Sequence, residues 1–101
     1  MYRGTTPTFE LKITDQDIDL TEADHVYVTF RTKKGKTTYT GNQLEVTAHE
    51  VDVYLSQEET LAFPLGTADV QINWTYDDGK RACTNIARIV ISENLLEVVL
   101  P

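Results

Sequence analysis

Three aspartates at alternating positions have the spacing closest to that of a chemical site. Asp15, Asp17 and Asp19 stand two residues apart, and carboxylates at such positions begin a calcium-binding EF-hand loop. The rest of that pattern is missing, because Leu20 stands where a glycine should make the turn and Val26 where a bidentate glutamate should close the loop. The run is therefore a weak calcium candidate, and a solvated acidic loop is the alternative.

Other residues that could perform catalysis or bind metals are sparse. His25 and His49 are the only histidines, and Cys83 is the only cysteine. They have no spacing typical of zinc ligands, and the chain contains neither a phosphate-binding glycine-rich loop nor a nucleophile elbow. We predict no catalytic activity and no cofactor, with solvated histidines and a partly buried cysteine; a His–Cys pair formed across the fold is the alternative.

Basic side chains concentrate at two predicted turns, in a chain whose formal net charge is −7. They are Arg31, Lys33, Lys34, Lys36, Lys80 and Arg81. Lysines at strand ends protect sheet edges from aggregation, and a specific anionic partner is the alternative explanation. The acidic balance of the whole chain disfavours nucleic acid, since binding to phosphates depends on Lys and Arg.

Three tyrosines are candidates for an interaction surface. Tyr27 and Tyr54 fall on the polar side of alternating segments, and Tyr39 lies in a threonine-rich segment. Exposed tyrosine is enriched at protein interfaces, and its ring can also stack on a sugar. A carbohydrate-binding or adhesion module is thus an alternative function, while cross-strand packing on a solvated face explains the same residues.

Alternation of apolar and polar residues determines where these side chains point. It is clearest over residues 68–76, and segments 9–13, 26–30, 44–46 and 51–55 repeat it. A period of two predicts strands with one buried and one solvated face. Sheets of this kind are antiparallel, so we expect hairpin connections.

Turn residues lie between these segments. They are Lys33-Lys34-Gly35-Lys36, Gly41-Asn42 and Asp77-Asp78-Gly79, and Asp-Gly supplies the positive φ of a tight hairpin. Residues 81–92 contain no breaker, and the apolar stretch 86–91 predicts a central strand or one covered on both faces.

One short helix is predicted from Ser56 to Phe63. Ser56 and Glu59 have the spacing of a capping box, and Pro64 follows the last helical turn. A second helical turn could form at residues 20–24.

About seven strands in 101 residues predict a single all-β domain over residues 1–101. The expected architecture is an antiparallel immunoglobulin-like β-sandwich, with a small barrel as the structural alternative. Its predicted core is Phe9, Leu11, Val28, Phe30, Val53, Leu55, Val70, Ile72, Trp74 and Ile89. No apolar run is long enough to cross a membrane.

A further interaction surface is predicted in residues 95–101. Five of these seven residues are Leu or Val, too many to leave in water. They could form the last strand of their own sandwich, with Asn94 as the turn. Alternatively, Leu95, Val98 and Leu100 are buried against another subunit or a second copy, as in strand addition.

Segments throughout the chain resemble a group of small prophage-encoded tail or baseplate-type proteins of Gram-positive bacteria. These segments are residues 1–9, 55–61, 70–72, 78–79 and 84–86. The pattern is also similar to the N-terminal domain of the phage upper baseplate protein (BppU type), an immunoglobulin-like sandwich that anchors receptor-binding parts to the tail. The resemblance implies a structural subunit or adaptor of a phage tail, baseplate or head. Such a protein would be made in the bacterial cytoplasm and assembled into the virion with other phage structural proteins.

Overall fold

Alternation of buried and partly exposed side chains runs along the longest strand of the molecule, as the sequence predicts. The computed structural model describes residues 1–101. Its strands are β1 (Thr8–Lys12), β2 (His25–Thr32), β3 (Gly35–Thr40), β4 (Leu44–Val46), β5 (Glu50–Tyr54), β6 (Gly66–Thr75), β7 (Arg81–Cys83) and β8 (Ala87–Ile91). Helix α1 is Gln57–Ala62, and two short 3₁₀ helices are Leu20–Glu22 and Gly41–Gln43.

The strands form two antiparallel sheets that face each other. The smaller sheet has the order β1-β5-β4, and the larger has the order β3-β2-β6. Strands β7 and β8 both pair with the remaining side of β6, β7 beside its second half and β8 beside its first half. The predicted all-β sandwich is confirmed, with eight strands instead of about seven.

The core lies between the sheets and centres on Phe30. Its ring lies 5.7 Å from Phe9 of the smaller sheet, 5.6 Å from Phe63 after α1 and 5.7 Å from Tyr39 of β3, measured between ring centroids. Trp74 is 1% exposed. Seven of the ten predicted core residues are buried, while Phe9, Leu11 and Ile89 are partly buried and pack against the others.

Helix α1 begins as its sequence predicts. The amide of Glu59 donates to the Ser56 hydroxyl (3.1 Å), and the amide of Ser56 donates to the Glu59 carboxylate (3.0 Å), which completes the capping box. Thr60 is fully buried and donates to the carbonyl of Thr5 (2.8 Å), fixing α1 to the N-terminal residues. No helix in the structure is long and apolar enough to cross a membrane.

The turn between β6 and β7 also follows the prediction. Gly79 has φ +86°, and its amide donates to the carbonyl of Tyr76 (3.1 Å). The left-handed region disfavours side chains, so Gly79 allows the chain to reverse here. It thereby places Arg81 beside β6.

The prediction that residues 86–91 form a central strand, or one covered on both faces, is wrong. Strand pairing is interrupted between β7 and β8, where Thr84 remains bonded to Ile72: its amide donates to the Ile72 carbonyl (2.9 Å), and its hydroxyl accepts from the Ile72 amide (3.1 Å). Both strands pair only with β6 and therefore lie at the sheet edge. Ile86 is 53% exposed and Val90 is 62% exposed, because the outer face of this edge is uncovered.

Candidate interaction surfaces

Residues 93–101, called the C-terminal segment below, leave β8 without forming another strand. The Asn94 side chain accepts from the amide of Leu96 (3.1 Å), and the amide of Asn94 donates to the Glu97 carboxylate (3.1 Å). Asn94 thus makes a turn, as predicted. The interpretation of the segment as the last strand of the sandwich is wrong, because this turn leads towards α1 and not back along the sheet.

Polar side chains hold the C-terminal segment against the rest of the molecule. The guanidinium of Arg3 donates to the carboxylate of Glu97 (2.7 Å) and to the carbonyl of Leu61 (2.7 Å). The side-chain amide of Gln57 donates to the carbonyl of Leu100 (2.9 Å) and accepts from the amide of Leu100 (2.7 Å). The segment is therefore attached at two points near α1, and neither attachment depends on apolar packing.

Apolar side chains of the C-terminal segment remain largely in solvent. Leu95 is 98% exposed, Leu96 55%, Val98 53%, Val99 51% and Leu100 49%. The predicted interface residues Leu95, Val98 and Leu100 are thus accessible. Leu96 and Val99 are equally so, and the apolar composition that flagged the run could have included them. Half of the ten exposed large apolar residues of the chain lie in this one segment, interrupted only by Glu97.

The three candidate tyrosines do not share a surface. Tyr27 lies on the outer face of the larger sheet, opposite Asn73, and Tyr54 lies on the outer face of the smaller sheet. The expected exposure of Tyr39 is wrong, since it is 4% exposed and packs edge-on against Phe30. Burial, with a smaller contribution from the Glu59 carboxylate, raises the pKa of Tyr39 to about 12.

A row of charged residues crosses the outer face of the larger sheet. From β3 to β8 it consists of Lys36, Arg31, Asp69 and Arg88, each opposite the next on a paired strand. Arg81 of β7 points to the same side, because it lies opposite Thr75 and reaches Asn73. We call this surface the basic face: four cations and one carboxylate give it three net positive charges in a chain of charge −7.

Asp69 compensates only part of that charge. Its carboxylate accepts from Arg31 (2.6 Å) and Arg88 (3.3 Å), and these bonds, chiefly that from Arg31, lower the pKa of Asp69. Arg81 donates to the neutral amide oxygen of Asn73 (3.0 Å), and Lys36 makes no ion pair. A shallow concavity of about 290 Å³ lies among these residues, and eight of its ten lining residues are polar.

The outer face of the smaller sheet has the opposite charge. Glu10 of β1, Asp52 of β5 and Glu45 of β4 lie directly opposite one another in one row, and Glu50 lies opposite Lys12. We call this surface the acidic face; four carboxylates and one lysine give it three net negative charges. No carboxylate of the acidic face lies within 4.0 Å of a cation.

The closeness of these carboxylates raises the pKa of two groups on the acidic face, Glu50 and Tyr54. A hydrogen bond from Glu50 to Asp52, together with burial and the charges of Asp52 and Glu10, raises the pKa of Glu50. The hydroxyl of Tyr54 donates to Glu45, which raises the pKa of Tyr54 to about 12. The sequence indicated three cations of the basic face, Arg31, Lys36 and Arg81, but gave no sign of Arg88 as their neighbour or of the acidic face. Each member stands at a polar position of an alternating strand, but only the register between strands shows which members are neighbours.

The remaining candidate residues are not assembled into a chemical site. Asp15 accepts from the amide of Asp17 (3.0 Å), and Asp19 caps the first 3₁₀ helix by accepting from the amide of Thr21 (2.9 Å). Asp15 and Asp19 thus stabilise turns. The three aspartates do not form a calcium site, because nowhere in the structure do three or more His, Cys, Asp or Glu side chains lie close enough together to bind one metal ion.

The expectation of a partly buried Cys83 is wrong, because it is exposed on β7. His25 is exposed as expected, whereas His49 is half-buried and not fully solvated.

Three surfaces are thus set apart by their chemistry: the C-terminal segment, the basic face and the acidic face. The sequence matches no model of a known protein family, and no curated protein is significantly similar to it.

Proposed function

We propose that the chain is a non-enzymatic structural subunit or adaptor of a phage tail, baseplate or head, and that it acts through protein–protein contacts. The resemblance of its strand-and-turn pattern to small prophage-encoded proteins supports the phage context. The single observation that carries the proposal is the exposed C-terminal segment, whose five large apolar side chains are between 49% and 98% exposed.

Apolar side chains in this number favour a partner. Removing one such side chain from water stabilises a complex by roughly 1.5–3 kcal/mol when burial is complete. The C-terminal segment is already held by Arg3 and Gln57, so less conformational entropy is lost when a partner covers it. A held and exposed apolar segment is therefore suited to binding protein.

Unpaired backbone groups in the same segment favour strand addition as the mode of contact. The amides of Leu95, Glu97, Val98 and Val99 donate no hydrogen bond within the chain. Strand addition supplies partners for such groups, while alternate side chains enter pockets on the partner. The proposed contact is thus an extended segment laid along the sheet edge of another subunit.

Truncation after Ser92 tests the assembly role. We expect the shortened chain to keep a cooperative unfolding transition and to lose binding to other particle proteins, measured by light scattering after size exclusion. A full-length control with Leu95→Ser and Val99→Ser keeps the backbone and both polar attachments while removing apolar surface. If both variants bind as the parent does, the segment is not an interface and this role is wrong.

Mass spectrometry of purified particles tests the phage context. Particles released after prophage induction in the encoding bacterium should contain the chain at a fixed ratio to other tail or head proteins. Deletion of its coding sequence should yield particles that lack a defined component or fail to assemble. Its absence from particles that assemble and infect normally would contradict the proposal.

A further inference from the structure

We propose that copies of this chain stack head to tail, with the basic face of one copy docked on the acidic face of the next. This inference rests on the proposed function as an assembling subunit and names one of its partners, a second copy. It concerns the outer faces of the two sheets and not the C-terminal segment.

The basic face has cations that the molecule itself does not neutralise. Asp69 is the only carboxylate in the row, and it is shared by Arg31 and Arg88. Lys36 at the end of the row and Arg81 beside it have no carboxylate partner, and both are exposed. The face can therefore accept further carboxylates without breaking an existing ion pair.

The acidic face, in turn, has carboxylates that no cation of the molecule neutralises. Like charges directly opposite on paired strands destabilise a sheet, and Glu10, Asp52 and Glu45 form two such pairs in succession. A guanidinium or ammonium group from outside would relieve this repulsion.

The geometry of the sandwich places these faces on opposite sides of the molecule. Both charged rows run across strands, so their members repeat at the strand spacing of roughly 4.8 Å. Carboxylates on one copy can thus face cations on another at matched intervals. Because the two surfaces differ, the contact is heterologous, and successive copies form a ring or a filament according to the rotation between them.

A second copy fits the basic face better than other anionic partners do. The two faces carry equal and opposite net charge, three positive and three negative. Nucleic acid would meet a chain of net charge −7, which repels a polyanion outside the face itself. Charge complementarity between surfaces mainly determines specificity and association rate, so the stacking is expected to weaken as salt increases.

Charge reversal on each face tests the stacking. Lys36→Glu with Arg81→Glu makes both faces acidic, and Glu10→Lys with Glu45→Lys makes both faces basic. All four side chains are exposed and none belongs to an ion pair, so folding should be retained, which circular dichroism and thermal melting would verify. We expect each double variant to self-associate about tenfold or more weakly than the parent in sedimentation velocity at about 50 mM salt.

Two combinations make the test specific. An equimolar mixture of the two double variants should assemble into alternating complexes, and a chain with all four reversals should recover self-association. A matched control, Lys33→Glu with Lys34→Glu, changes the charge equally within the β2–β3 turn and should associate as the parent does. The inference would be overturned if the parent protein stays monomeric, or if neither double charge reversal changes its self-association.

Failure of this inference is distinguishable from failure of the proposed function. Charge reversal leaves the C-terminal segment intact, and truncation after Ser92 leaves both charged faces intact. If truncation abolishes association while salt and charge reversal leave it unchanged, head-to-tail stacking is overturned. The same result would support the assembly role of the C-terminal segment. Stacking that survives truncation would support the inference and place the interface on the sheets.

Discussion

Two apolar runs close together in the sequence have different environments in the structure. Residues 86–91 and 95–100 are both rich in Ile, Leu or Val and are separated by three residues. The first contains β8, whose Ile91 is 2% exposed, whereas every Leu and Val of the second is about half exposed or more. Apolar composition therefore predicts that a run should be buried, but it does not predict whether the run is buried in its own core or against a partner.

Backbone pairing accounts for the difference. Strand β8 pairs with β6 from Gly66 to Val70, and this register directs Ile89 and Ile91 into the core. The C-terminal segment pairs with no strand after Asn94 and is held by side chains of Arg3 and Gln57 instead. Polar attachments fix a segment in place without burying its side chains.

Shortening the buried side chain of Ile91, in the run 86–91, should have the largest effect on stability. Ile91→Ala removes three carbons from the core and leaves a cavity, so we expect a loss of about 2–5 kcal/mol in the free energy of unfolding. Val90→Ala on the same strand is the control, with an expected change within about 0.5 kcal/mol because Val90 is 62% exposed. Urea denaturation followed by Trp74 fluorescence measures both. Equal losses would mean that β8 is covered on both faces after all.

Arg3→Ala tests how firmly the second run is held. Arg3 is largely buried and contacts both Glu97 and Leu61, so we expect a loss of about 1–3 kcal/mol. Arg88→Ala removes a more exposed guanidinium from its ion pair and should cost less than about 1 kcal/mol. If Arg3→Ala costs no more than Arg88→Ala, the attachment of the segment contributes nothing to stability.

Gln57→Ala should act locally. Loss of the two bonds to Leu100 is expected to speed hydrogen exchange at the Leu100 amide while global stability changes by less than about 1 kcal/mol. Glu58→Ala, at the next position of α1, is the matched control because Glu58 makes no bond to the segment. Unchanged exchange at Leu100 would show that Gln57 does not hold the segment in solution.

Acid should weaken the attachment of β8 in a way that depends on Asp69. Hydrogen bonds from Arg31 and Arg88 lower the pKa of Asp69, so the unfolded chain binds a proton before the folded one does. The resulting stabilisation is present above the unfolded-state pKa of about 3.8 and is lost as pH falls through the folded-state value. Asp69→Asn should therefore lose less stability than the parent between about pH 5 and about pH 2. If the melting temperatures of the parent and Asp69→Asn fall by the same amount across this pH range, Asp69 does not have this role.

Much of the local structure was predictable because it depends on residues close together in sequence. Alternation over residues 68–76 predicted β6, the spacing of Ser56 and Glu59 predicted the start of α1, and Asp78-Gly79 predicted a hairpin turn. In each case the hydrogen bonds or side-chain directions involved are set by the backbone geometry of a few neighbouring residues.

Features that depend on which strands become neighbours were not predictable in this way. Tyr39 stands among threonines in sequence, but its register opposite Val28 turns it into the core beside Phe30. The row of Glu10, Asp52 and Glu45 joins residues from three strands, and no local pattern relates them.

The sequence by itself therefore determined most of the strands up to β6, their turns and the capped helix, and it showed that residues 95–101 are too apolar to remain in water. Only the tertiary structure decided that these residues lie on the surface near α1, and that charge separates onto opposite sides of the sandwich. The physical reason is that alternation fixes the face on which each side chain lies relative to its own strand. The pairing of strands distant in sequence decides which side chains then share that face and whether anything covers it.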